Sequence, residues 1–220
     1  MLNLFSIFDP STSLYFSMNW LSMGLLYLFT FSCFWKMKSR VMYLYYITAK
    51  MLYEEIVVNF LKMNKMLVIL FITMFFYLMG MNYLGLLPYV FTPTSHMSVT
   101  MSLSLSVWMT IMIFGWSNFF NKMMKHLVPE GTPIYLASFM VLIESISNLI
   151  RPLTLAVRLV ANMIAGHLLL VLLSSLGEMS MMYYMFTLPL MISLTVLEMF
   201  VTIIQSYVYM ILLVLYLNEV

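Results

Sequence analysis

A small set of polar side chains interrupts the apolar second half of this chain: Glu144, Asn148, Arg151, Arg158, Asn162 and His167, then Glu198 and Gln205. Arginine keeps its proton in proteins, and holding its charge near a bilayer centre costs from ~3 kcal/mol on insertion scales to ~10 or more in simulations. Such a cation favours the ionised form of any carboxyl group that approaches it, and imidazole and carboxyl groups can themselves take up and release protons. These residue types therefore point to charge or proton movement within a membrane. The plainer alternative is an arginine that snorkels or pairs locally for assembly. It loses ground because Arg158 has so many polar companions in or beside apolar runs.

Their spacing suggests the element that carries them. Glu144, Asn148, Arg151, Leu155, Arg158 and Asn162 follow steps of four and three, which at ~100° per residue keeps them within one ~80° sector of a helix. His167 falls ~140° from Asn162 on an ideal helix, so it joins that face only if the helix distorts near Gly166, or else it faces a second arm. Farther on, Glu198, Thr202, Gln205, Tyr209 and Tyr216 share another sector, with Glu219 near the end. Two polar stripes facing each other across an apolar hairpin would allow a hydrated path.

Composition sets the environment. With 64% hydrophobic and 8% charged residues and a mean hydropathy of +1.00, the chain is far from a soluble domain, in which roughly a quarter of residues are charged. It reads as an all-α integral membrane protein. A net charge of +2 without a basic run gives no signal for a nucleic-acid partner. The single cysteine, Cys33, permits neither an intrachain disulfide nor a cysteine-based metal site, and no cofactor site is recognisable. Its 26 methionines replace Leu and Ile along the spans, a pattern consistent with organelle codon usage. No cation precedes Lys36, so neither an Arg-rich presequence nor a basic signal-peptide start is expected.

Hydropathy and charge divide one membrane domain, 1–220, into elements. An N-terminal segment, 1–13, leads to a span at 14–35 that ends at Lys36, Lys38 and Arg40. At 41–65, Lys50, Glu54, Glu55, Asn59 and Lys62 alternate with apolar residues, as in an amphipathic helix lying in the interface. Further spans are expected at 66–87, ending at Pro88, and at 97–118, followed by a loop at 119–132. The stretches 133–176 and 179–217 are too long to cross upright; at 1.5 Å per residue the first would reach ~65 Å. Either each is folded into two spans or both are strongly tilted, and a pair of long tilted helices in a hairpin is favoured, leaning on a partner surface. The expected fold is thus about five membrane-embedded helices plus one interfacial helix. Eight of the ten Lys and Arg residues fall at 36–65 and 122–125, separated by two spans, so these segments share the inner side and the N-terminus lies opposite.

The run Arg158-Leu159-Val160-Ala161-Asn162-Met163-Ile164-Ala165-Gly166-His167 resembles the signature of subunit a of rotary, F-type ATP synthases in its mitochondrial form. Asn82-Tyr83-Leu84-Gly85-Leu86-Leu87-Pro88-Tyr89, Phe91 to His96, Leu127 to Pro133, and Gln205-Ser206-Tyr207-Val208 resemble the same family in the expected order. From about residue 80 onward the resemblance is continuous. Residues 14–78 match in hydropathy and length only, although Phe8-Asp9-Pro10-Ser11 is similar to the start of arthropod-like members. Glu130 departs from the Gln expected in its loop.

The resemblance implies a non-catalytic stator subunit that holds two offset proton half-channels against a rotating ring of c subunits. Arg158 would face the ring, drive each ring carboxyl to release its proton, and block a direct leak between the half-channels. On the first long helix Glu144 lies ~21 Å inward of Arg158 and His167 ~13 Å outward. His167 and Glu198 would form the entry relay from the intermembrane space, Glu144 and Glu219 would line the matrix exit, and Asn162 and Gln205 would flank Arg158. Arg151 and Asn148 would support the path, with Arg151 read as a structural partner of Glu144. The implied partners are the c-ring, other membrane-sector and peripheral-stalk subunits, and lipids. The implied location is the mitochondrial inner membrane, with the N-terminus in the intermembrane space and the C-terminus in the matrix.

Other polar residues have ordinary readings: His96 and His126 as solvated or capping residues, Lys122 and Lys125 as topology determinants, Glu54 and Glu55 as a wet face, and Glu178 as solvated. Three rival functions fit less well. A secondary transporter lacks recognisable inverted halves, and bis-histidine haem ligation lacks a second histidine in a span. A purely structural subunit leaves both polar stripes without purpose.

Overall fold

A bilayer offers no water to backbone N–H and C=O groups, so an apolar chain must satisfy them within its own helices. Every regular element among the described residues of the computed structural model is helical. The structure describes residues 4–13, 16–24, 39–59, 65–87, 90–128, 133–178 and 180–219. The expected first span lies mostly outside these, as do Cys33, Lys36, Lys38, Lys62, Glu130 and the side chains of His126 and Glu219.

Among the described residues, six α-helices follow two short 3-10 turns at Leu4–Phe8 and Met18–Leu21: α1, Arg40–Asn59; α2, Lys65–Gly85; α3, Met97–Asn118; α4, Phe120–His126; α5, Ile134–Gly177; and α6, Met181–Glu219. Four of them, α2, α3, α5 and α6, are long and apolar enough to cross a membrane. α1 carries both characters: Leu52 and Ile56 are buried, whereas Lys50 and Glu54 pair at 3.8 Å on an exposed face. Glu55, read as part of the wet face, is exposed and also accepts a hydrogen bond from the Tyr207 hydroxyl of α6 at 3.2 Å. That bond ties α1 to the helix carrying Glu198 and Gln205.

α3 shows how a span tolerates hydroxyls. Ser102, Ser104, Ser106 and Thr110 each donate to the carbonyl three residues earlier, so these hydroxyl protons do not face apolar neighbours. The segment 119–132, expected as a loop, instead contains the helix α4. Phe119 breaks from α3 with φ −129°, and the aromatic rings hold the turn: Trp116 meets Phe120 edge-on at 5.6 Å, and Lys122 lies over the Phe119 ring at 5.9 Å. Aromatic rings interleaved with lysines suit a membrane interface, and such a turn winds where polar loop composition alone would not require it.

α5 and α6 form the hairpin, joined across 178–180. α5 is 44 residues long, ~66 Å at 1.5 Å per residue, and α6 is 39 residues, ~58 Å. α5 runs unbroken through both Pro152 and Gly166. Pro152 has no N–H to offer the Asn148 carbonyl, a loss that membrane helices survive when neighbours cover the site, and Pro152 is buried. The core joins Leu52 and Ile56 of α1, Phe71, Phe75 and Leu78 of α2, Ile111 of α3, Leu155 and Leu159 of α5, and Tyr209, Met210, Leu213 and Val214 of α6. The outer faces stay apolar, with Leu153 and Val157 of α5 and Phe200 and Ile204 of α6 exposed, as a surface facing lipid or another helix requires.

Candidate functional site

The polar stripe of α6 points inward. Glu198, Thr202, Gln205 and Tyr209 are all buried, where α6 lies along α5. α5 accommodates Glu198 because residue 166 is glycine: a Cβ at Gly166 would stand 2.7 Å from Glu198 Oε1 and 2.8 Å from Cδ, closer than carbon atoms approach. The carboxyl group therefore lies against the backbone of α5, one residue from His167. Just along the hairpin, Asn162, Met163, Glu198, Val201, Thr202 and Gln205 line a cavity of about 10 Å³, about the space of a single water.

These buried groups have unused hydrogen-bonding capacity. Glu198 Oε1, His167 Nε2, both amide atoms of Gln205 and the Tyr209 hydroxyl have no hydrogen-bond partner among the described residues. Each such group costs about 1–3 kcal/mol when left unpaired, so a cluster of them is expected where function requires it and packing alone does not. The His167 ring is met edge-on by the Phe8 ring, centroids 6.4 Å apart.

The stripe on α5 divides, and here the expectation of one continuous polar face is corrected. Glu144, Asn148 and Arg151 line a cavity of about 360 Å³ with Trp108 and Trp116 of α3 and Tyr216 of α6. Leu155 then enters the core, while Arg158 is exposed and Asn162 is exposed beside the small cavity. The physical reason is that α5 packs against both α3 and α6, so one stripe meets different neighbours along its length. Arg151 Nη2 lies 3.6 Å from Glu144 Oε1, and its guanidinium carbon lies 5.2 Å from the centre of the Tyr216 ring. Neither ion pair among the described residues involves Arg158. Gly166 does not distort α5; His167 is reached through the N-terminal turn and the opposite arm.

Two features were not singled out from sequence. Asn82 of α2 is fully buried, as is Thr94 in the 3-10 turn Pro93–Ser95, and neither the Asn82 amide atoms nor the Thr94 hydroxyl has a hydrogen-bond partner among the described residues. An amide in an otherwise apolar span was the available signal for Asn82. For Thr94 there was none, because its burial depends on the turn folding against α2 and α5. His96, read as solvated or capping, occupies the N-cap of α3 but makes no side-chain cap bond; its Nε2 instead bonds the Phe8 carbonyl at 2.9 Å. Among the described residues no group of three or more His, Cys, Asp or Glu could hold a metal ion.

The family described as ATP synthase A chain matches residues 16–218. Proteins named ATP synthase subunit a from Drosophila melanogaster, Locusta migratoria and Anopheles gambiae are 47%, 48% and 47% identical to this chain, covering 100% of it and 99% of each relative. The chain belongs to the ATP synthase subunit a family. As a subunit a, it is a multi-pass protein of the mitochondrial inner membrane that serves proton transport in ATP synthesis. Within that subunit a, the α5–α6 hairpin carries the buried Glu198 stripe, the exposed Arg158 and the cavity beside Glu144.

Proposed function

We propose that this subunit a is the stator wall of a rotary motor, with Arg158 set against a ring of c subunits and two proton half-channels ending on either side of it. The observation that carries this reading is an exposed arginine on an apolar helix face with no ion-pair partner among the described residues. An unpaired cation facing lipid is costly, and an opposing carboxyl group removes that cost. Ala161 and Ala165, exposed beside Arg158 and four residues apart, let another helix approach closely. The arginine favours the ionised carboxylate, so each ring carboxyl gives up its proton on arrival and must be reprotonated before it can return to lipid. Protons then cross only as the ring turns.

His167 and Glu198 form the entry relay, with Asn162 and Gln205 between it and Arg158; the Gly166–Glu198 contact and the unpaired atoms support this grouping. Glu144, with Glu219, lines the exit, with Asn148 and Arg151 in support; the larger cavity at Glu144 favours it. The remaining membrane-sector and peripheral-stalk subunits hold the wall still, and lipids cover its free faces. The N-terminus faces the intermembrane space and the C-terminus the matrix. The protein performs no bond chemistry itself.

The test is ATP synthesis by assembled complexes carrying Arg158→Gln or Arg158→Lys. Both should lose proton-driven synthesis by at least about 100-fold, the lysine because it can shed its proton and lacks the guanidinium fork. Near-normal synthesis in either would show that Arg158 is a structural cation.

A further inference from the structure

Three rings and one carbonyl meet on the far side of His167. The His96 ring lies 5.2 Å from Trp20 and 5.3 Å from Phe91, which are themselves 5.6 Å apart, and its Nε2 reaches back 88 positions to the Phe8 carbonyl at 2.9 Å. A carbonyl can only accept, so Nε2 carries the hydrogen in this bond. His96 occupies the N-cap position of α3 without bonding that helix's end, so its ring serves the N-terminal segment. That segment is folded onto itself: Asn19 Nδ2 donates to the Asp9 carbonyl at 3.4 Å, and the Thr12 hydroxyl donates to the Phe16 carbonyl at 2.9 Å while accepting from the Met18 amide at 3.3 Å. It is therefore held on His96 twice, through Phe8 and through Trp20.

The next group beyond Phe8 is the His167 ring, whose Nε2 is buried without a hydrogen-bond partner among the described residues, followed by Gly166 and the Glu198 carboxyl group. We infer that His96 is a positioning residue for the proton path: by clamping the Phe8 carbonyl it seats the Phe8 ring against His167, so that the N-terminal turn walls the approach to Glu198. A hydrogen bond fixes the backbone of Phe8, and a T-shaped ring contact then limits how far the imidazole can swing. The consequence for proton flow rests on the relay reading of His167 and Glu198; the wall itself does not.

The two are separable by measurement in intact ATP synthase complexes. With Cys33→Ser and His167→Cys, the labelling rate of the new thiol by a small, charged, water-soluble methanethiosulfonate reads access past Phe8. Adding His96→Leu should speed labelling about tenfold, the scale expected for losing one hydrogen bond. Phe8→Gly, which removes the ring and leaves the Trp20–Phe91–His96 cluster in place, should do the same and covers the case in which His96→Leu fails to assemble. His96→Gln keeps a donor and should keep labelling slow. In complexes that retain His167, His96→Leu should lower ATP synthesis and His96→Gln should restore most of it. Unchanged labelling with both His96→Leu and Phe8→Gly would overturn the inference. Faster labelling with unchanged synthesis would leave the wall standing but overturn its part in proton flow. The relay reading itself falls only if the His167 and Glu198 variants keep normal synthesis.

Discussion

The two polar ends of the α5–α6 hairpin use the same helices in opposite ways. At Glu198 the polar groups are enclosed: the carboxyl lies on the backbone of Gly166, the cavity beside it is about 10 Å³, and Glu198 Oε1, His167 Nε2 and the Gln205 amide lack partners among the described residues. At Glu144 the cavity is about 360 Å³, and the acid is paired with an arginine that also lies on a tyrosine ring. Enclosure raises the cost of every charged state, whereas space and a counter-charge lower it. On the reading proposed above, the first end would admit protons singly under close control and the second would let them leave. Arg158 stands between the two, outside both cavities.

This contrast predicts that small changes of shape matter most at the Glu198 end. Gly166→Ala places a carbon against the Glu198 carboxyl, and the overpacking of about 1–3 kcal/mol should displace that group. ATP synthesis should fall by about 100-fold while the spans still insert, and Glu198→Asp, which draws the carboxyl back, should recover part of the loss in the double variant. A Gly166→Ala complex with normal synthesis would mean that the close contact has no part in proton entry.

A comparable effect is expected from the relay partners singly. Replacing His167 with Ala or Glu198 with Gln should each slow synthesis by about 100-fold, and the pair should cost less than the product of the two because the sites share one proton. Losses in log rate that simply add would separate the two residues into independent roles.

The smallest effect belongs to the open end. The Arg151–Glu144 pair is partly exposed at 3.6 Å, so breaking it should cost about 0–1 kcal/mol of stability. Glu144→Gln and Arg151→Gln should therefore reduce synthesis by no more than about fivefold, because a roomy cavity offers a proton other ways out. A loss at Glu144 as deep as that at Glu198 would erase the distinction between the two ends.

How far sequence could reach differs between the two helices. The α6 stripe was legible because Glu198, Thr202, Gln205 and Tyr209 repeat with the helical period and are all buried. The α5 stripe follows the same period, yet Leu155 turns to the core and Arg158 to the outside, since the neighbours of α5 change along its length. Periodicity gives a face but not what covers it. Gly166 was noticed as a place where the helix could bend; its actual use, seating Glu198, depends on a side chain from the other arm. The bonds from His96 to Phe8 and from Tyr207 to Glu55 join residues far apart in the chain, and no local pattern announces them. The helix α4 was missed for a related reason, since its charged and aromatic residues read equally well as a loop.

The central claim is that Arg158 works on an ionisable group outside this chain and separates the two ends. Passive proton permeability of liposomes containing assembled complexes tests it most directly, with ATP synthesis measured on the same preparation. With Arg158→Gln the account predicts that synthesis is lost and the proton leak rises, because nothing then separates the Glu198 end from the Glu144 end. A membrane that stays tight, with synthesis near normal, would contradict it.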